Sequence, residues 1–95
     1  MKTIQQLLND PATKIIDVRS PGEFASEHLP EAINIPVETI ANRIDEIKSM
    51  NAPVLCYCRS GARSGMAVSI LKQAGMQDVY NGGSVYDLLF ELQKN

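Results

Sequence analysis

The chain has 95 residues, of which 44% are hydrophobic and 21% charged, with a formal net charge of −2. This length suits a single domain over residues 1–95, whose core needs neither disulfides nor a structural metal. The sequence has no cluster of lysine and arginine, so we expect neither nucleic acids nor anionic membranes as partners. No segment reaches transmembrane length or resembles a signal peptide, so we expect a cytoplasmic protein unless a leader has been removed.

Strand and helix patterns alternate along the chain. Short apolar runs predict strands over residues 14–18, 32–35, 54–58 and 78–80. Apolar residues at helical spacing predict helices over residues 1–10, 21–27, 37–47, 66–74 and 85–92. This alternation favours an α/β fold, with a central, mostly parallel sheet of four to five short strands and helices on both faces.

Several residues mark where these elements begin and end. Ser20 is the predicted N-cap of the second helix, with Pro21 at its first position. Gly75 is predicted to end the fourth helix, and the pair Gly82-Gly83 predicts a turn after the last strand.

Cys58 lies at the carboxyl end of the third predicted strand, where a parallel sheet places its ligand site. A short loop and the start of a helical pattern follow it, formed by Arg59, Ser60, Gly61, Ala62, Arg63 and Ser64. Backbone N–H groups that curl around such a loop, and the positive end of the helix dipole, stabilise an anion at the sulfur. We therefore expect a thiol of lowered pKa that acts as a nucleophile, in preference to an inert core cysteine.

Two arginines within five positions of Cys58 favour an anionic substrate. A guanidinium lowers the pKa of a nearby thiol and can hold an oxyanion. Arg59 is expected to bind the substrate, whereas Arg63 could bind it or brace the loop. Ser60 and Ser64 are expected to act through hydroxyl or backbone contacts, and Ser64 could also stabilise the start of the helix.

Three polar residues outside the loop are candidates for supporting roles. Asp17, near the end of the first predicted strand, could accept N–H bonds from the loop, and Arg19 could pair with Glu23. His28 is the only histidine and lies at a proline-bounded turn, where its ring nitrogens are expected to fix the turn. We therefore leave His28 out of catalysis.

Four segments occur in an order that is typical of one protein family. Residues 16–24 contain Asp-Val-Arg followed by Glu-Phe, and residues 28–36 read His-Leu-Pro-Glu-Ala-Ile-Asn-Ile-Pro. Residues 58–64 form the cysteine loop, and a glycine pair follows at residues 82–83. Together they span most of the chain, which resembles the single-domain rhodaneses, sulfurtransferases that carry sulfur as a cysteine persulfide.

This resemblance implies a rhodanese-like fold and sulfur transfer by double displacement. Cys58 would take the outer sulfur of thiosulfate or a persulfide and pass it to a thiophilic acceptor. The acceptor would be cyanide or a thiol, such as glutathione, thioredoxin or a cysteine of a partner protein. The loop amides would stabilise the persulfide anion, and Asp17 and Arg19 would support the site. No metal or organic cofactor is expected.

Cys56 precedes Cys58 by two residues, so strand alternation places both on the same face. Their Cα atoms would lie about 6.6 Å apart in a strand, which is at the far limit for a disulfide. We expect Cys56 to be a small buried core residue. The alternative is a resolving thiol that attacks the persulfide on Cys58.

The chain departs from the family pattern at three positions. Glu27 and Glu31 stand where the family often has glycine, so both turns are expected to adopt conformations open to any residue. Tyr86 stands where tryptophan is common, which bears on packing. None of the three is expected to touch the Cys58 loop.

Two other functions are compatible with parts of the pattern. Cysteine-dependent phosphatases and arsenate reductases also use a Cys…Arg loop, but here Tyr57 precedes the cysteine and only four residues separate Cys58 from Arg63. No general acid for a phosphate leaving group is evident. A persulfide-relay or regulatory binding module without turnover of small molecules is the second alternative.

Overall fold

The computed structural model describes residues 2–94, in which four strands form one parallel sheet. The strands are β1 at Lys14–Asp17, β2 at Ile33–Asn34, β3 at Val54–Cys58 and β4 at Val79–Ser84. They lie in the order β2-β1-β3-β4, and every pairing is parallel. The predicted parallel α/β sheet is therefore confirmed, with the carboxyl ends of all four strands on one edge.

Helices connect the strands and cover the sheet. The described residues contain α1 at Ile4–Asn9, α2 at Pro21–Ser26, a 3₁₀ helix at Val37–Asn42, α3 at Ile44–Ser49, α4 at Ala62–Gln73 and α5 at Val85–Leu92. Within residues 2–94, none of these helices combines the length and apolar character needed to cross a bilayer.

The central strand β3 is buried along its whole length, and its side chains alternate between two core clusters. Val54, Cys56 and Cys58 pack with Ala67 and Leu71 of α4. The second cluster joins β3 to α1 and α5 and includes Leu7, Leu55, Tyr57, Val85 and Leu88. Each such apolar side chain contributes about 1.5–3 kcal/mol when it is fully buried. The cysteine at the end of β3 therefore rests on the most firmly anchored strand.

The helix boundaries follow the predicted cap residues. Ser20 caps α2 by accepting the amide of Glu23, and Pro21 occupies the first turn. Gly75 follows α4 with a positive φ of 98°. The helix predicted over 1–10 forms from Ile4 to Asn9, while Met1 lies outside the described residues.

The helix predicted over residues 37–47 is divided in two. The backbone of Arg43 leaves the helical region (φ −125°, ψ 18°), so a 3₁₀ helix ends before it and α3 begins after it. Both pieces still present an apolar side chain to the core, Ile40 from the first and Ile47 from the second. The apolar spacing therefore predicted correctly that these side chains are buried, but it did not predict that the helix is interrupted.

Gly82-Gly83 was predicted to form a turn, and this prediction is wrong, because both residues lie within β4. Cys56 pairs with Asn81 and Cys58 with Ser84, so β4 carries one extra residue in a bulge. A Cβ on Gly82 would lie 3.0 Å from a Leu88 methyl carbon, and Gly83 has a φ of 81°. The glycines therefore serve close packing and the bulge.

The two acidic turn residues behave differently. Glu27 has a φ of −166°, an extended conformation that any residue adopts, as expected. Glu31 has a φ of 69°, in the left-handed region, which residues with a Cβ can adopt but which favours glycine. A left-handed conformation costs a residue with a Cβ about 1–2 kcal/mol.

Candidate active site

Cys58 ends β3, and the loop that follows folds back so that its N–H groups point at the sulfur. The amide of Gly61 donates to Sγ at 3.0 Å and the amide of Ser64 at 3.4 Å. The Ser64 hydroxyl oxygen also lies 3.4 Å from Sγ. Gly61 reaches this geometry with a φ of 101°, a value that favours glycine, immediately before α4 begins.

The Cys58 side chain is fully buried, at 0% exposure. Burial alone raises the pKa of the thiol, but hydrogen bonds from Ser64, Ser60 and Gly61 outweigh it and lower the pKa of Cys58 to about 7. A substantial fraction of the sulfur is therefore a thiolate near neutral pH, as a nucleophile requires.

Arg63 extends from α4 to α2, where it forms a two-pronged ion pair with Glu23. Its Nη1 and Nη2 lie 2.7 and 3.0 Å from the two carboxylate oxygens. The hydrogen bonds from Arg63, followed by that from the Ser20 amide, lower the pKa of Glu23 to about 2. This arrangement corresponds to the bracing alternative for Arg63, since its guanidinium is occupied by a carboxylate.

Arg19 pairs with Asp17 rather than with Glu23, so that expectation is wrong. Its Nη2 lies 2.7 Å from Oδ2 of Asp17, and both residues are almost completely buried. The Asp17 carboxylate accepts the Arg19 amide at 2.9 Å instead of an amide of the cysteine loop. Arg19 also donates to the carbonyl of Glu27 at 2.6 Å, which ties β1 to the end of α2.

Arg59, Ser60 and Ala62 face solvent at the mouth of the site. Within residues 2–94, no acceptor or carboxylate pairs with the Arg59 guanidinium. A cleft of about 160 Å³ opens beside Arg59, and we call it the loop cleft; its lining residues are Arg19, Glu23, Ser26, Glu27, Arg59 and Tyr86. Larger clefts lie away from the cysteine loop, for example one of about 500 Å³ between α1 and α5.

Glu27 and Tyr86, which were not expected to touch the cysteine loop, lie close enough to it to share the loop cleft with Arg59. Each stands at a departure from the family pattern, so the chain differs from that pattern in the cleft beside Arg59.

Asn81 on β4 belongs to the site but was not found from the sequence. Its Oδ1 accepts from the Ser64 hydroxyl at 2.7 Å and from the Gly83 amide at 2.9 Å. Its Nδ2 donates to the carbonyl of Gly61 at 3.1 Å. An asparagine directly after the predicted strand 78–80 and directly before a glycine pair was the available signal.

Cys56 and His28 lie outside this hydrogen-bond network. Cys56 is fully buried, and burial raises its pKa to about 12. The geometry therefore favours a core residue over a resolving thiol.

The Nδ1 atom of His28 lies 2.7 Å from the carbonyl oxygen of Phe24, and the two rings stack at 3.8 Å. His28 fixes its turn, as expected. Residues 2–94 contain no group of three metal-binding side chains.

Comparison with known proteins relates this geometry to a family. A model described as the rhodanese-like domain matches residues 1–85. The chain is 39% identical over 74 residues to thiosulfate sulfurtransferase PspE of Escherichia coli (strain K12), covering 77% of this chain and 71% of that protein. It is 40% identical over 68 residues to the uncharacterized protein YqhL of Bacillus subtilis (strain 168), covering 72% of this chain and 53% of that protein. The chain therefore spans about half the length of YqhL.

A solved structure, "rhodanese with anions from E. coli", shares the fold. It superposes with a TM-score of 0.72 at 38% identity and covers 79% of this chain and 89% of that one. The family model, these relatives and the shared fold point to the same family as the cysteine loop and the strand order. The chain belongs to the rhodanese-like family.

Proposed function

We propose that this chain is a sulfurtransferase that moves a sulfane sulfur through a persulfide on Cys58. The observation that carries the proposal is the pair of amides from Gly61 and Ser64 that point at a single, buried sulfur. Fixed N–H donors of this kind stabilise negative charge without reorganisation of solvent. Relatives named as thiosulfate sulfurtransferases support the same class of reaction.

The reaction has two displacements. The Cys58 thiolate attacks the outer sulfur of thiosulfate, the bond between the two thiosulfate sulfurs breaks, and sulfite leaves with the electron pair. The persulfide anion remains within reach of the loop amides. A thiophilic acceptor then attacks the outer sulfur, and Cys58 leaves as a thiolate, ready for the next donor. In the first step one sulfur–sulfur bond forms as another breaks. In the second step the bond between the outer sulfur and the acceptor forms as the persulfide bond breaks. Neither step needs an external oxidant, metal or cofactor.

Arg59 is the residue that we assign to donor binding. Its guanidinium is exposed at the loop cleft and unpaired among the described residues, so it is free to hold a sulfonate. Arg63 cannot take that role while Glu23 occupies both prongs of its guanidinium. The same pairing argues against phosphate chemistry, which would need the arginine at the end of the loop to face the substrate.

A persulfide donor is the second candidate, and the charges of the loop cleft favour it. The cleft is lined by the carboxylates of Glu23 and Glu27 as well as by arginines. A doubly charged anion is repelled by Glu27, whereas a persulfide on a thiol carries less charge. We therefore include relay from a persulfide donor to a protein thiol, to thioredoxin or to glutathione within the proposal.

Intact-protein mass spectrometry tests the proposal. Wild type, Cys58→Ser and Cys56→Ser are treated with thiosulfate and then with cyanide. We expect wild type and Cys56→Ser to gain the mass of one sulfur and to lose it to cyanide as thiocyanate, and Cys58→Ser to gain none. A persulfide that forms on Cys58→Ser would contradict the assignment of the nucleophile. If thiosulfate leaves folded wild type unchanged, inorganic polysulfide is the next donor, and failure with both would refute sulfur transfer.

A further inference from the structure

Two backbone groups fix the orientation of the Asn81 carboxamide. Its Nδ2 donates to the carbonyl of Gly61, and its Oδ1 accepts from the amide of Gly83. A carbonyl only accepts and an amide N–H only donates, so the carboxamide cannot be turned over without losing both bonds. The oxygen that faces Ser64 is therefore an acceptor.

The Ser64 hydroxyl has one proton and two neighbours that compete for it. Its oxygen lies 2.7 Å from Oδ1 of Asn81 and 3.4 Å from Sγ of Cys58. Because Oδ1 has no proton to give, the shorter bond takes the Ser64 proton and turns the lone pairs of the hydroxyl toward the sulfur. A hydroxyl in this orientation accepts from a thiol S–H and cannot donate to a thiolate.

Ionisation of Cys58 reverses this preference. The thiolate keeps its two amide donors, from Gly61 and Ser64, and gains the hydroxyl as a third only when the proton leaves Asn81. Hydrogen bonds to an ionised acceptor are stronger than those to a neutral amide oxygen. The Ser64 proton therefore lies toward Asn81 when Cys58 is a thiol and toward the sulfur when Cys58 is a thiolate.

We propose that Asn81 is a positioning residue that competes with the Cys58 thiolate for the Ser64 proton and so sets how much of Cys58 is ionised. Asn81 makes no hydrogen bond with the sulfur of Cys58, and in this proposal its effect on the sulfur passes through the Ser64 hydroxyl. The inference rests on the proposed function for its role in the cycle. Once the outer sulfur is bound, the negative charge moves to that outer atom, and the Ser64 proton returns to Asn81.

Four of the charged groups around the cysteine loop form two ion pairs. On α2 and α4, Glu23 holds Arg63, and on β1, Asp17 holds Arg19. Arg59 projects into solvent from the loop itself. The carboxylate of Glu27 accepts the hydroxyl of Tyr86 from α5. None of these interactions involves Asn81 or Ser64, so we do not expect them to account for a difference between the variants below.

A double-mutant cycle isolates the competition. The fraction of thiolate is followed by ultraviolet absorbance against pH in wild type, Asn81→Ala, Ser64→Ala and the double variant, with Cys58→Ala as the blank in each background. We expect Asn81→Ala to move the midpoint to lower pH by about half a pH unit, a roughly threefold gain in thiolate below the midpoint. In the Ser64→Ala background the same substitution should leave the midpoint unchanged.

Two results would overturn the proposal. A shift of equal size in both backgrounds, or a shift to higher pH, would mean that Asn81 acts by bracing Gly61 rather than through the Ser64 proton. If Asn81→Ala fails to fold, Asn81→Leu retains the volume and enters the same cycle. The titration needs no sulfur donor. If no persulfide forms, the proposed function is refuted, but the pH titration of Cys58 still tests the role of Asn81.

Discussion

Glu27 and Tyr86 are 59 positions apart in the sequence and meet at the loop cleft, where the Tyr86 hydroxyl donates to Oε1 of Glu27 at 3.1 Å. Glu27 is the C-cap of α2 and Tyr86 lies in the first turn of α5, so the contact joins two helices at the loop cleft. The contact holds a carboxylate in the loop cleft, which is also lined by Arg59, the residue to which we assign donor binding. We therefore expect the rate of persulfide formation on Cys58 to depend on the charge of the donor.

Replacement of Glu27 tests this consequence. We expect Glu27→Gln to raise the rate of persulfide formation from thiosulfate about threefold to tenfold, because it removes one repulsive charge near the donor. Methanethiosulfonate offers the same outer sulfur with one negative charge fewer, so its rate should rise less. Single-turnover mass spectrometry measures both rates. Glu38→Gln, an exposed change on the 3₁₀ helix, serves as the control, and an equal gain with both donors would contradict the electrostatic explanation.

Arg59→Ala should act in the opposite direction. We expect it to lower the rate with thiosulfate about tenfold or more, because an unpaired guanidinium next to a sulfonate is a charge-assisted contact. The rate with inorganic polysulfide, which has no sulfonate, should fall much less. Lys72→Ala removes one exposed positive charge at the far end of α4 and controls for net charge. Equal losses with the two donors would assign Arg59 to the loop structure instead.

The pH dependence of Cys58 follows from its hydrogen bonds. Since these bonds lower the pKa of Cys58 to about 7, its thiolate forms as the pH rises through that value. One pH unit below the midpoint, about a tenth of the plateau rate should remain. The rate of persulfide formation against pH measures this midpoint. Burial raises the pKa of Cys56 to about 12, so Cys58→Ser should show no titrating thiol in this range. A midpoint near the ordinary thiol value would contradict the role of the loop amides.

The sequence was sufficient for the four strands, for most of the helices and for the position of Cys58 at a strand end, because these depend on local patterns. Alternating apolar runs identified the four parallel strands, and the glycine of the cysteine loop indicated a tight turn over the sulfur. Cap residues such as Ser20 and Gly75 also act on their own neighbours. These features need only a few consecutive residues to be recognised.

The contacts that complete the site join distant positions and could not be deduced in the same way. Glu23 and Arg63 are 40 positions apart, and Ser64 and Asn81 are 17 apart. Glu23 pairs with Arg63 and not with Arg19, and this choice depends on where α2 lies relative to α4. The role of Asn81 depends on a one-residue bulge in β4, which shifts the register next to Cys58.

Cys56→Ser should separate stability from catalysis. Cys56 is fully buried in an apolar cluster, so a hydroxyl there would be desolvated, which lowers the free energy of unfolding by about 1–3 kcal/mol. Persulfide formation on Cys58 should persist. Chemical denaturation measures the first effect and intact mass the second. Cys56→Ala, which adds no polar group, is the matched variant. Loss of the persulfide in a folded Cys56→Ser protein would place Cys56 in the mechanism.

Glu31→Gly should stabilise the fold. Glu31 holds a φ of 69°, and glycine adopts this conformation without the cost of a Cβ, estimated at about 1–2 kcal/mol. The greater freedom of glycine in the unfolded chain offsets about 0.5–1 kcal/mol of that gain. A net gain of up to about 1.5 kcal/mol corresponds to a rise of several degrees in Tm for a domain of this size. Thermal unfolding by circular dichroism measures it. Glu31→Ala keeps the Cβ and removes the carboxylate, so it should show no such rise, and an equal increase in both variants would attribute the effect to charge.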